Sequence, residues 1–178
     1  MHLVTDCLEL REMVGDDWPR IWRYTDNLEF RRQLLPGMAT ESGVRRQVES
    51  AIREQSARRR QFYYLAVILR EGGNLVGSVG LSLTSRSRAV IGWDCDPCYH
   101  NLGYATEAAK SMIGYGFGVL HLREIRAACF AENAASMRVM EKLGMSRLER
   151  NLLQRCSDHI SYRSWRAKVV YRLLSSER

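Results

Sequence analysis

The residues from Ile91 to Ala109 have the types and order suited to holding a phosphate. Ile91-Gly92-Trp93-Asp94-Cys95-Asp96 reads as the end of a strand, and Pro97 stops it. A short loop then runs through His100, Asn101 and Leu102 to Gly103-Tyr104-Ala105, where a helix begins. The first turn of a helix presents unpaired backbone N–H groups and the positive end of the helix dipole. Gly103 and Ala105 are small, so an anion can reach that backbone, and the segment is a candidate pyrophosphate cradle. One glycine ahead of a helix also serves as a plain structural turn.

A second segment, Asn133 to Met145, pairs a helix N-cap at Asn133 with a C-terminal stop at Gly144. Those caps do not require Ser136 in the first turn or Lys142-Leu143-Gly144 at the end. Cys95-Asp96-Pro97-Cys98 is a C-x-x-C, but no second pair follows to complete a zinc site. A redox pair would open a helix directly, whereas Tyr99-His100-Asn101 intervene here. No metal is expected.

The elements that must position these residues follow from periodicity and punctuation. Leu8, Leu10 and Met13 read as a first strand. Asp16-Asp17-Trp18-Pro19 reads as a helix start with an acidic N-cap, running to about Leu28, and Pro36-Gly37 as a loop. Thr40 caps a second helix with Val44, Val48, Ala51 and Ile52 on one face and Arg45, Arg46 and Arg53 on the other, ending near Arg58-Arg59-Arg60. Strands are expected over Phe62–Leu69, Leu75–Leu83 and Ala89–Asp96, the first two joined at Glu71-Gly72-Gly73-Asn74. A helix from Gly103 to about Leu120, a strand Glu124–Phe130, a helix from Asn133 to Leu143 and two closing strands, Met145–Gln154 and Tyr162–Leu174, complete the chain. Hairpins first and a βαβ unit later predict an α/β fold built on one mixed sheet.

With 178 residues, 46% hydrophobic and 26% charged, the chain fits one domain, residues 1–178, and excludes disordered and low-complexity classes. The longest apolar run, Phe62–Leu69, is too short to span a bilayer. The start lacks the charged and apolar regions of a secretory signal, and five cysteines are an odd number, so free thiols in a cytoplasmic protein are expected. The net charge of +7, carried mostly by arginine, favours an anionic partner without choosing among nucleic acid, membrane and a phosphorylated cofactor.

These motifs resemble the GNAT superfamily of N-acetyltransferases, in the RimJ/RimL-like branch that acetylates ribosomal proteins. The family loop, [Arg/Gln]-x-x-Gly-x-[Gly/Ala], falls on His100, Asn101, Leu102, Gly103, Tyr104 and Ala105. Its fourth and sixth places match, while His100, Asn101 and Leu102 replace a frequent Arg or Gln, Gly, and Lys or Arg. Ile91-Gly92-Trp93, the helix start Gly103–Ala108 and the Asn133–Met145 element are similar to that branch. So are the opening Thr5–Arg11 and the close Trp165–Tyr171, where a frequent aspartate is Ala167. The resemblance implies the acyl-CoA N-acyltransferase fold, with about seven strands and four helices, and transfer of acetyl from acetyl-CoA to a primary amine.

By that resemblance the backbone of Asp94 and Cys95 holds pantetheine, N–H groups from Asn101 through Ala105 hold the pyrophosphate, and Asn133 binds the pantetheine arm. Loss of a basic side chain at Leu102 implies weaker CoA binding, unless an arginine elsewhere compensates. The family's frequent general-acid tyrosine is Met140 here, which leaves Ser136 to serve the leaving thiolate or to be a plain first-turn residue. A glutamate base used by some relatives is Ala128, so Asp94, Asp96, Glu132 and His159 stay as candidates, Asp94 first. The acceptor, a protein N-terminus or a small-molecule amine, has no readable motif; Arg31-Arg32, Arg45-Arg46 and Asp158 are candidates for its mouth. Monomer and homodimer stay open. A catalytically silent acyl-CoA-binding module is the alternative, and a basic RNA-associated protein using Arg58-Arg59-Arg60 ranks last.

Overall fold

A computed structural model of the chain describes residues 1–26, 28–31, 40–148 and 168–175. Its elements are β1 (His2–Val4), β2 (Leu8–Glu12), α1 (Asp17–Thr25), α2 (Leu28–Arg31), α3 (Glu41–Gln55), β3 (Phe62–Leu69), β4 (Leu75–Ser85) and β5 (Arg88–Cys95). A 3₁₀ turn, Pro97–Tyr99, leads into α4 (Tyr104–Gly118). Then come β6 (Glu124–Phe130), α5 (Ala134–Lys142), β7 (Ser146–Arg147) and β8 (Lys168–Leu174). The eight strands form one sheet in the order β1-β2-β3-β4-β5-β6-β8-β7. Only the β5–β6 pair is parallel among them, as the βαβ reading requires.

The sheet lies between two helical layers, which explains the continuous apolar run of β3. Its Leu65 and Val67 pack with α4 residues Ala108, Met112 and Ile113. Its Tyr64, Ala66 and Ile68 pack on the opposite face with Ile21 and Tyr24 of α1 and Val44, Val48 and Ala51 of α3. A strand buried on both faces loses the polar alternation of a surface strand. In α4, Gly116 lets the helix sit close to the sheet: a Cβ there would come within 2.9 Å of Ile125 Cδ1.

Several boundaries differ from the sequence expectation, each for a tertiary reason. The strand His2–Val4 was not anticipated; it is held by pairing with Glu9–Arg11. The first helix stops at Thr25, and Leu28–Arg31 forms a separate turn. The acidic start of α1 works differently from a cap: Asp16 makes no side-chain cap bond. Instead the buried Asp17 accepts from both terminal Arg11 guanidinium nitrogens at 2.7 and 2.8 Å and from Val14 N–H at 2.8 Å. That fastens the start of α1 to β2. Thr40 does cap α3, accepting from Gly43 N–H at 3.1 Å, worth about 1 kcal/mol. The α3 helix ends at Gln55, so Arg58–Arg60 lie beyond it. Of the closing strands, Ser146–Arg147 and Lys168–Leu174 are described; residues 149–167, the loop at Pro36-Gly37, Arg32, Cys156, Asp158, His159 and the Trp165–Ala167 segment lie outside the described residues.

Candidate active site

The parallel register between β5 and β6 ends at Val90↔Arg126. Beyond it β5 stays paired with β4 through Cys95, and β6 stays paired with β8 through Phe130. The two strands therefore part, and a cleft of about 300 Å³ opens where they separate. Ile91–Cys95 of β5, Ala127–Cys129 of β6, the loop from His100 into α4, and residues of α5 from Ala135 to Lys142 line it.

The parting leaves backbone groups without a ladder partner. Asp96 N–H bonds Val76 C=O at 2.8 Å. Since hydrogen-bonding direction alternates along a strand, the Asp94 backbone points into the β4 ladder, and Trp93 and Cys95 point toward the gap. Of the expected pair, Cys95 shares this edge with Trp93, while the Asp94 backbone faces β4. His100 Nε2 lies 3.0 Å from the Cys95 carbonyl oxygen, so the histidine ties the loop to that edge.

The loop itself takes the shape its replaced residues put in question. Gly103 has φ +90° and Asn101 φ +63°. Both lie in the left-handed region, which glycine enters freely and asparagine tolerates better than most residues. Among the described residues, no backbone N–H from Asn101 to Ala105 has an intramolecular acceptor; the first helical bond is Glu107 N–H to Gly103 C=O at 3.0 Å. Asn101, Gly103, Tyr104 and Ala105 line the cleft, and the exposed Leu102 side chain does not.

On the α5 side, Asn133 Oδ1 accepts from Ser136 N–H at 2.9 Å, so the side chain caps the helix. Ser136 lines the cleft, and among the described residues its hydroxyl has no hydrogen-bond partner. Arg138 and Lys142, one turn apart on the same helix face, also line the cleft and make no ion pair with any described residue. Neither was singled out from sequence for its charge, because only the fold turns that face of α5 toward the loop.

Of the candidate bases, Asp94 lines the cleft. It is no solvent-facing strand residue: Tyr24 donates a hydrogen bond to Oδ1 and Ser78 to Oδ2. Burial lifts its pKa above the usual carboxylate range, and the hydroxyl donors pull part of that back. Asp96 is spent on the 3₁₀ turn, accepting from Cys98 N–H at 2.9 Å, and neither it nor the exposed Glu132 lines the cleft. Met140 is buried at the cleft and Ala128 stands on its β6 wall. Burial, then the charges of Asp94 and Asp96, push the Cys95 thiol up to about 12, the reverse of an activated redox cysteine. Burial pushes Cys129 up to about 11. Among the described residues no three His, Cys, Asp or Glu side chains gather around a metal-sized space.

Of the acceptor-mouth candidates, Arg31, Arg45 and Arg46 do not line the cleft: Arg31 pairs with Asp26 over the Trp22 ring, and Arg45 pairs with Glu49 near Trp18. Arg60 bonds Glu12 through both terminal nitrogens, at 2.6 and 2.8 Å, which removes it from any exposed basic run. No helix among the described residues is long and apolar enough to cross a membrane.

The family model of the acetyltransferase (GNAT) domain matches residues 8–146. The chain belongs to the GNAT family. It is 33% identical over 148 residues to the uncharacterised N-acetyltransferase YnaD of Bacillus subtilis, spanning 83% of this chain and 84% of that protein. A GNAT-family acetyltransferase from Bacillus anthracis shares 30% identity with a TM-score of 0.78, covering 98% of both chains. The ribosomal L7/L12 alpha-N-protein acetyltransferase RimL, solved with coenzyme A, shares the fold with a TM-score of 0.76 at 17% identity, covering 99% of this chain and 98% of that one. As a GNAT acetyltransferase the chain is an enzyme that uses acetyl-CoA as co-substrate.

Proposed function

We propose that this GNAT acetyltransferase transfers acetyl to a primary amine, of a protein N-terminus or a small molecule, by direct attack within the β5–β6 cleft. The observation that carries this reading is the parting of the two strands after Val90 and Arg126, with a donor-lined loop at one side and Asp94 at the other. Pantetheine pairs as an added strand with the exposed edge at Trp93 and Cys95. The N–H groups from Asn101 to Ala105 hold the pyrophosphate at the start of α4. Arg138 and Lys142 supply the positive charge that Leu102 lacks; an arginine fork suits phosphate geometry in particular. Asn133 seats Ser136 by capping α5, and Cys95 and His100 fix the loop to the strand edge.

The chemistry then needs three proton transfers on the reactants. Asp94 takes one proton from the bound ammonium group, which frees the nitrogen lone pair for attack, and its raised pKa makes it a better base than an exposed carboxylate. The second nitrogen proton leaves to water as the amide forms. A C–N bond forms, the C–S bond breaks, and the Ser136 hydroxyl hydrogen-bonds and protonates the leaving sulfur, to be re-protonated from water. The positive end of α5 favours the developing thiolate. Residues 1–178 form one domain in this reading. Cytoplasmic residence fits the four described cysteines, all free thiols. The test is to mix the protein with acetyl-CoA and a panel of amines and amino-terminal peptides, following thiol release and an acceptor mass gain of about 42 daltons. Turnover with any amine supports the reading. Binding of acetyl-CoA without turnover favours a silent acyl-CoA-binding module.

A further inference from the structure

Behind the cleft wall, on the α1/α3 face of the sheet, lies a buried chain of hydroxyls that ends on Asp94. Tyr24, on α1, donates to Oδ1. Ser78, fully buried on β4, donates to Oδ2. Tyr64, on β3, has its hydroxyl oxygen 2.6 Å from Ser78 Oγ. Ser78 owns one hydroxyl proton and an ionised carboxylate only accepts, so that proton goes to Asp94 and the Tyr64 phenol donates to Ser78. The titratable groups acting on this cluster are Tyr24 from α1, Tyr64 from β3, Cys95 from Asp94's own strand and, toward Tyr64, Asp17. Asp94 forms no ion pair among the described residues.

A carboxylate paired with arginine has its charge neutralised. One held by neutral hydroxyls keeps a full negative charge while staying fixed in place. We propose that Tyr24, Ser78 and Tyr64 are positioning residues for Asp94, holding its carboxylate ionised and uncompensated where it lines the cleft, so that it receives the acceptor there as a cationic ammonium group. This rests on the reading of Asp94 as the base. It also gives the acceptor a chemistry: a protonated primary amine without an anionic group beside it, because such a group would be repelled from an uncompensated carboxylate.

The decisive measurement is a ¹³C-carboxyl NMR titration of the free, labelled protein, with the Asp94 signal identified by its loss in Asp94→Asn. A hydrogen bond to a charged group holds the ionised form, so removing one donor raises the midpoint. Tyr24→Phe and Ser78→Ala are each expected to raise it by about one pH unit or more. Tyr64→Phe raises it less, its phenol being the weakest of the three hydroxyls in holding the carboxylate. With an amine found in the panel assay, the acid limb of kcat/KM moves up in parallel; the acceptor's own ionisation is common to all variants. Unmoved midpoints in Tyr24→Phe and Ser78→Ala, with unchanged Tm, overturn the proposal even if Asp94→Asn abolishes turnover. Shifted midpoints together with an unchanged kcat in Asp94→Asn uphold the positioning of the carboxylate and overturn its use as the base. Should Tyr24→Phe fail to fold, Ser78→Ala carries the same test from the other carboxylate oxygen.

Discussion

The two parts of the proposed site are built by different means. The part assigned to the cofactor is backbone: the β5 edge at Trp93 and Cys95, the left-handed turns at Asn101 and Gly103, and the first turns of α4 and α5. The part assigned to the acceptor is Asp94, on the cleft wall, held from behind by the side chains of Tyr24, Tyr64 and Ser78, four elements whose residues are up to 70 positions apart. Backbone donors do not depend on which side chain follows them, so the loop keeps its form with His100, Asn101 and Leu102 in place of the family's usual residues. A side-chain cluster has no such tolerance, since each hydroxyl is a particular atom of a particular residue.

The comparison breaks most directly at Ser136, which lines the cleft on the α5 side. Ser136→Ala is expected to lower kcat by roughly 10²–10⁴ with little change in KM. An unchanged kcat would leave Ser136 as a first-turn residue of α5 and move the proton donor elsewhere. Next in size is Gly103→Ala. At φ +90° a side chain costs roughly 1–2 kcal/mol, so acetyl-CoA binding measured by calorimetry should weaken by about tenfold, with kcat at saturation preserved. Charge neutralisation on α5 comes third: Arg138→Gln with Lys142→Gln is expected to raise the Kd for CoA by about three- to tenfold and to flatten its salt dependence. Equal Kd in wild type and double variant would show that the loop amides suffice without cations. The smallest effect sharpens the contrast most. Asn101→Gly should leave CoA binding within about twofold, because both residues accept φ +63°. A large loss would mean that the Asn101 side chain, and not its backbone, meets the ligand.

The strands Phe62–Leu69 and Glu124–Phe130 agree with the sequence reading residue for residue; the first is an uninterrupted apolar run bounded by turn residues, which admits little else. The α4 and α5 starts were legible for a similar reason: Gly103 and Asn133 act on their own neighbours. Illegible features depended on remote partners. Asp17 looks like half of an acidic cap until Arg11 and the Val14 amide are seen to hold it. Asp94 is one candidate base among four in the sequence until Ser78 and Tyr24 are seen to close on it.

The amino-acid order by itself determined the mixed sheet, the loop into α4 and the GNAT resemblance, because periodicity, caps and turns are interactions between residues close in the chain. Only the tertiary structure decided that β5 and β6 part after Val90, that Arg138 and Lys142 face the cleft, and that Asp94 is held by hydroxyls rather than by water. Those outcomes depend on which surfaces meet when two helical layers close on one sheet, and contacts across such distances leave no local pattern to read.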